Sequence, residues 1–298
     1  MGMLGGQVAL VTGGGRGIGR SIVRELAAQG AAVVIDDVYH DADGISAAQA
    51  LADEIEAAGG AALALQEDVT CAEGANAMVA AAVRQFGRLD ILVTSAGNTA
   101  PKIGLVEITD DHWDAVVRLH LRGHFLSCRA ALPHMLARNS GRILTVGSRG
   151  AFFQVPDSKR AAKSTRKQSP LAYATVKAGI LGFTTNLAIE LWDTGITVNC
   201  LLPSATTTTF PETTPRMVGG VPAAQSLDPD DLAPAAIFLC TPEAADISGR
   251  LMYAAGGDVV FYGNPLDIRG ARMIRKKGRW AVEELAGVVP SLLGADAA

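Results

Sequence analysis

Tyr173 and Lys177 stand four positions apart in Tyr-Ala-Thr-Val-Lys, Ser148 lies upstream at the end of an apolar run, and Thr12-Gly-Gly-Gly-Arg-Gly-Ile-Gly19 lies near the start of the chain. A phenol, an ammonium and a hydroxyl are the groups needed to move a proton to or from a substrate oxygen. On a helix, the four-residue spacing puts the phenol and the ammonium on one face. An isolated tyrosine has a pKa of about 10 and is a poor acid-base group at neutral pH. Lowering it by about three units takes about 4 kcal/mol, which a fixed ammonium a few ångströms away supplies in a dry site. Tyr-x-x-x-Lys also occurs on solvated helices, and Ser148 is what turns the pair toward chemistry.

The glycine-rich segment has a different use. Gly13, Gly17 and Gly19 sit between an apolar run and a helical stretch, where a missing Cβ lets a backbone approach a pyrophosphate and a helix N-terminus offers oriented N–H groups. Such a turn is weak evidence alone. Its context strengthens it, because Asp37 follows eighteen residues after Gly19, at the end of the second apolar run. A carboxylate there accepts both hydrogens of an adenosine ribose diol. About 4 Å from a 2′-phosphate, at an effective dielectric near 20, it would meet a repulsion of about 4 kcal/mol, roughly a thousandfold in affinity. NAD(H) is therefore expected over NADP(H), with Arg16 on the loop as the opposing charge. Asp36 reads as a solvated strand-end charge. Asp68 has two readings, an acceptor for the adenine amino group or a cap for the following helix.

These residues need a scaffold, and the chain alternates short apolar runs with helical stretches. Val8–Val11, Val33–Ile35, Ala62–Leu65, Ile91–Val93, Ile143–Val146 and Ile196–Leu202 read as strands buried on both faces. Residues 17–29, 45–58, 72–86, 110–137 and 171–193 carry helix-forming composition with apolar positions three and four apart. The alternation predicts a single doubly wound α/β domain, a parallel sheet with helices on both sides. Residues 151–170, with Lys159, Arg160, Lys163, Arg166 and Lys167, and the Thr- and Pro-rich residues 203–230 interrupt the pattern. Both follow strands, where open parallel sheets bind ligands. The expected domain runs over 1–257, and 258–298 form a C-terminal extension with a basic cluster from Arg269 to Arg279, packed on the domain or on a neighbouring subunit.

The 298 residues are 49% hydrophobic and 19% charged, with a net charge of −4. That balance is too apolar for a disordered chain, and no run of about 20 apolar residues offers a membrane span. The acidic balance gives no general attraction to nucleic acid or anionic membranes, so neither is expected as a partner. No signal peptide is legible, and a cytoplasmic location is expected. Cys71, Cys128, Cys200 and Cys240 are far apart without Cys-x-x-Cys and read as core thiols. The five histidines, His120 and His124 among them, show no metal-ligand spacing with a paired acid, and no metal is expected.

In combination these motifs resemble the short-chain dehydrogenase/reductase family over residues 7 to about 257: Thr12–Gly19, Asp68-Val69, Ala96-Gly97, Gly141-Arg-Ile143 leading to Ser148, Tyr173-x-x-x-Lys177 and Pro203. The resemblance implies a Rossmann-type, seven-stranded parallel sheet of order 3-2-1-4-5-6-7 and commonly a homotetramer, with a dimer as the other possibility. It implies Tyr173 as acid-base residue, Lys177 lowering its pKa and holding the nicotinamide ribose, and Ser148 bonding the substrate oxygen. The implied NAD-binding set is Gly13, Gly15, Arg16, Gly17, Ile18, Gly19, Asp37, Val38, Asp68, Val69, Ser95, Ala96, Gly97, Tyr173, Lys177, Pro203, Thr206 and Thr208.

Several positions depart from the family pattern. Thr94-Ser95-Ala96-Gly97 replaces Asn-Asn-Ala-Gly. The fourth catalytic position, an asparagine that holds a water against the lysine, aligns with His120. A histidine offers a nitrogen to such a water, and its ordinary pKa near neutrality suits a proton relay; the plainer reading is a polar helix residue satisfied by backbone. Ser148 and Tyr173 are twenty-five positions apart, about twice the family's gap, so the basic stretch is an insertion that either attracts an anionic substrate or is a solvated loop, the latter being preferred. The expected activity is an NAD-dependent interconversion of a secondary alcohol and a ketone on a small molecule, with an acyl thioester or a sterol among the substrate classes. The alternative is a catalytically weak NAD(H)-binding redox sensor or scaffold, motivated by His120 and Ser95.

Overall fold

The computed structural model describes residues 2–100, 102–152, 170–207, 217–218, 221–222 and 226–262. The six apolar runs form strands β1 (Val8–Thr12), β2 (Ala32–Asp36), β3 (Ala62–Leu65), β4 (Ile91–Thr94), β5 (Gly141–Val146) and β6 (Ile196–Pro203), and β7 (Leu251–Ala255) and β8 (Asp258–Tyr262) follow. Every residue of β1 and β4 is buried, as expected of strands covered on both faces.

The sheet runs β3-β2-β1-β4-β5-β6-β7-β8. Its first seven strands are parallel, in the order the family resemblance implies. The eighth is antiparallel to β7 and was not expected. A two-residue Gly256-Gly257 turn makes it possible, Gly256 taking φ 51°. The sheet therefore continues five residues past 257, while the rest of the expected extension, 263–298, lies outside the described residues.

Helices α1 (Gly17–Ala28), α2 (Ala47–Ala57) and α7 (Pro229–Phe238) cover one face. Ile22, Leu51 and Ile237 meet Val11, Val33 and Ile91 there. On the other face lie α3 (Ala72–Phe86), α5 (Gly123–Leu136) and the end of α6 (Leu171–Glu190). Met78, Met135 and Leu187 meet Leu10, Val34 and Leu92. The sheet thus sends alternate residues of each strand into two cores.

Local chemistry sets the helix starts. Ser46 accepts from Gln49 N–H, and Asp228 accepts from Asp230 N–H with Pro229 in the first turn. That Asp-Pro signature starts a helix, α7, at the end of the Thr- and Pro-rich residues 203–230, and no helix was expected there. Cys71 caps α3, its sulfur 3.4 Å from Gly74 N, and is half-buried; Cys128, Cys200 and Cys240 are core residues as expected. The short α4 (Asp110–Val116), capped by Thr109, passes through a π-helical turn, Val117–Arg122, into α5. His120 sits in that turn.

Strand order reverses between β1 and β4, where Thr12 pairs with Thr94. The segments beginning Gly13, Asp37, Ser95, Gly147 and Ser204 all leave the carboxyl edge of the sheet, around that crevice.

Candidate active site

The glycine loop is held from below by the neighbouring strand. Thr12 Oγ1 accepts from the N–H groups of Ser95 and Ala96, each at 3.2 Å. Gly13, at φ 64°, leaves no room for a side chain, since a Cβ would stand 2.7 Å from Ala96 Cα. A Cβ on Gly19 would run into the Gly13 carbonyl. Protein packing thus demands two of the three glycines attributed to phosphate approach. Gly17 differs, because with φ 52° its absent Cβ faces Thr207 at 3.3 Å across the crevice.

A dinucleotide fits this cradle. Helices α2, α3, α4 and α7 begin with a side chain bonded to a first-turn N–H, whereas Arg16, the N-cap of α1, offers none and no acid stands in the first turn. The N–H groups at the start of α1 are left for an anionic ligand such as a pyrophosphate. Asp37 is held rigidly at the rim, Oδ2 accepting from Gly15 N–H and Oδ1 from Tyr39 N–H, both at 3.0 Å. A carboxylate offers about four acceptor sites, so both oxygens retain capacity for ribose hydroxyls.

Asp36 corrects its expectation. Only 2% exposed, it accepts from Glu67 N–H at 2.8 Å, and burial pushes its carboxyl up to about 7. The residue is a buried brace between β2 and β3 rather than a solvated charge. Asp68 is exposed and accepts from Thr70 N–H at 2.8 Å, in a turn before α3, but Cys71 is the cap itself. Val69 is buried, its Cγ2 facing Gly123, while Val38 is exposed. Ile18 packs on the core, Thr206 N–H bonds Leu227 O at 2.8 Å, and Pro203 ends β6. Thr208 and residues 153–169 of the insertion lie outside the described residues.

At the chemical end, α6 is apolar on several sides and carries Tyr173 and Lys177 one turn apart. Lys177 is buried, its Nζ donating to Val146 O at 2.8 Å and lying 5.6 Å from the Tyr173 ring centroid. Burial pulls its ammonium down to about 8. Ser148, two residues beyond Val146, accepts from Gly150 N–H at 3.0 Å, so its own hydroxyl hydrogen is directed elsewhere.

His120 meets the same tyrosine, edge to face, with centroids 5.5 Å apart. Its Nε2 is 3.4 Å from Asn98 Oδ1, and its buried Nδ1 has no partner among the described residues. Burial, then Lys177, lower its pKa to about 3. An imidazole held this low does not titrate near neutrality, unlike the ordinary pKa expected of His120. Gly97 lies directly over this imidazole, a Cβ there being 2.8 Å from Cε1.

The sequence matches the family described as short chain dehydrogenase over residues 7–218. The chain belongs to the short-chain dehydrogenase/reductase family. It is 35% identical to a 3-oxoacyl-[acyl-carrier-protein] reductase of Synechocystis over 258 residues, 86% of this chain and 98% of that protein. It is 33% identical to a (2S)-[(R)-hydroxy(phenyl)methyl]succinyl-CoA dehydrogenase subunit of Thauera aromatica over 262 residues, 86% of this chain and 98% of that one. The crystal structure of a short chain dehydrogenase from Mycobacterium avium superposes with a TM-score of 0.81 at 32% identity, covering 99% of this chain and 96% of that one. Short-chain dehydrogenases/reductases are oxidoreductases that use NAD(P).

For this short-chain dehydrogenase/reductase the structure also identifies neighbours that pattern reading passed over. Asn98, one residue beyond Ala96-Gly97, reaches His120. Val146 contributes only its carbonyl, which no sequence signal marks. His124, to which the sequence assigned no role once a metal site was set aside, is buried one turn beyond His120, and burial followed by Lys177 holds its imidazole well below the usual histidine range.

Proposed function

We propose that the protein is an NAD(H)-dependent dehydrogenase/reductase that interconverts a secondary alcohol and a ketone. The observation that carries this reading is the pairing of Lys177 with Tyr173: a buried ammonium 5.6 Å from the phenol ring, fixed by a 2.8 Å bond to Val146 O. Such a charge favours the phenolate and makes Tyr173 an acid-base group near neutral pH.

When bound between these residues, a nicotinamide dinucleotide would supply or accept the hydride. Tyr173 exchanges the hydroxyl proton of the substrate, taking it during oxidation and returning it during reduction. Ser148, whose oxygen already accepts from Gly150 N–H, donates its own hydrogen to the substrate oxygen and stabilises the charge that develops there. His120 stays neutral, and its Nδ1, without a partner among the described residues, suits a water that passes protons between Lys177 and solvent. Asp37, with both oxygens fixed at the rim, accepts the adenosine ribose hydroxyls and disfavours a 2′-phosphate.

The activities that name the two relatives suggest an acyl thioester bearing a 3-oxo or hydroxyl group as the first substrate class to test. NADH consumption is followed by absorbance with a 3-oxoacyl thioester, a ketosteroid and small cyclic ketones. Turnover on at least one carbonyl supports the reading. Tight NADH binding without turnover on any supports the sensor or scaffold instead.

A further inference from the structure

Arg16 is the exposed basic residue of the glycine loop, and its guanidinium lies 3.4 Å from the centroid of the Tyr39 ring. Asp37, the nearby carboxylate, is not its partner: among the described residues Arg16 forms no ion pair. The oxygens of Asp37 are taken instead by the N–H groups of Gly15 and Tyr39, the residues immediately before Arg16 and two after Asp37. A guanidinium beside a carboxylate ordinarily pairs with it. Here each carboxylate oxygen accepts one main-chain N–H and keeps its remaining acceptor capacity at the rim, and the cation lies on an aromatic face instead of on the carboxylate.

The stack is built on a fixed platform. Tyr39 O accepts from Ala47 N–H at 3.0 Å, which ties the β2–α2 connection to the start of α2. Gly15 packs against the same place, since a Cβ on it would stand 2.9 Å from Ala47 Cβ. The loop that carries Arg16 and the segment that carries Tyr39 are therefore held together at the main chain, with the two side chains meeting outside.

We propose that Tyr39 is a specificity-determining residue: its ring holds the Arg16 guanidinium and withholds it from the 2′-phosphate of NADP(H), reinforcing the exclusion by Asp37. The inference rests on the NAD(H) reading above and adds a second device to it. Asp37 repels the phosphate, while Tyr39 removes the loop cation that would attract it. An exposed cation–aromatic contact is worth about two- to fivefold in an equilibrium. Before Arg16 can bond a phosphate it must give up that contact.

The test is a cycle of dissociation constants for NADH and NADPH, measured by fluorescence titration without any substrate, for wild type, Tyr39→Leu, Arg16→Ala and the double variant. Tyr39→Leu is expected to shift the NADPH-to-NADH affinity ratio toward NADPH by about two- to fivefold, and adding Arg16→Ala is expected to erase the gain. Arg16→Ala alone is expected to leave the ratio within about twofold, and Tyr39→Phe, which keeps the ring, to retain the wild-type ratio. An unchanged ratio in Tyr39→Leu, a gain that survives in the double variant, or a fall of the NADPH-to-NADH affinity ratio by more than about twofold in Arg16→Ala alone would overturn the proposal. Because binding is read directly, absence of turnover does not affect the result. Tighter wild-type binding of NADPH than of NADH would instead count against the NAD(H) reading, leaving the effect of Tyr39 on the ratio still measurable.

Discussion

Lys177 Nζ donates to the main-chain carbonyl of Val146 at 2.8 Å, joining α6 to the end of β5 two residues before Ser148. One hydrogen bond thus registers the ammonium and, through its helix, the phenol against the strand that delivers the hydroxyl. The bond does not fully replace hydration, and burial leaves the lysine at about 8 instead of its ordinary 10.5.

That depression has a sign. The unfolded chain holds the lysine proton up to about pH 10.4, while the native protein releases it from about 8, so stability of the cofactor-free protein rises with pH across this window. Urea unfolding at pH 7, 8, 9 and 10 is expected to show a gain on the order of 3 kcal/mol for wild type relative to Lys177→Met, in which the dependence disappears. Parallel curves for the two proteins would mean that the lysine keeps its ordinary affinity for protons.

Asp36 titrates with the opposite consequence. Its carboxyl, raised to about 7 by burial, is neutral in the native protein where the unfolded chain has already ionised. Stability from this group is complete below about pH 4 and lost as pH rises through 7. Asp36→Asn keeps an acceptor for Glu67 N–H and cannot ionise. It is expected to raise stability at pH 8 by on the order of 1–4 kcal/mol and to show no gain at pH 4, as read from thermal unfolding at both values.

His120 supplies a third test. Held at about 3, it remains neutral in the folded protein while the unfolded chain takes up a proton below about 6.5. Between pH 6.5 and 5, wild type is expected to lose about 2 kcal/mol relative to His120→Asn. Kinetically, His120→Asn, which still bonds a water, is expected to keep kcat within about tenfold, whereas His120→Leu loses about a hundredfold or more. Equal kcat values for both variants would remove His120 from the proton path.

Much of this was legible in the chain. The six apolar runs became β1 to β6 because strands covered on both faces have no polar side to break the run. The crevice residues were legible because a strand–glycine–helix turn and the acid after β2 have fixed places in such a sheet. What escaped depended on contacts distant in sequence. Asp36 and Asp37 are adjacent and chemically alike, yet one is sealed between strands by Glu67 N–H while the other reaches Gly15. The strand β8 depends on a glycine pair turning back along β7, and α7 begins inside a stretch whose composition suggested only loop. Gly13 and Gly19 were found for phosphate approach, but their absent side chains chiefly make room for Ala96 and for the loop itself.

The proposed preference for NAD(H) rests on the fixed carboxylate at the rim. Asp37→Ala removes a charge whose repulsion of a 2′-phosphate is about 4 kcal/mol, and the NADPH-to-NADH ratio of kcat/KM is expected to rise by about a hundredfold to a thousandfold. Steady-state kinetics with both cofactors on one carbonyl substrate reads this directly, and an unchanged ratio would assign discrimination to other residues.

The most direct measurement of the central claim is Tyr173→Phe, which removes one oxygen from a half-buried ring and leaves its packing against His120 and Lys177 in place. Single-turnover reduction of a carbonyl substrate by bound NADH is expected to slow by about a hundredfold to ten-thousandfold, while the dissociation constant for NADH changes by less than about threefold. A variant that still reduces the carbonyl at the wild-type rate would contradict the assignment of Tyr173 as the acid-base group.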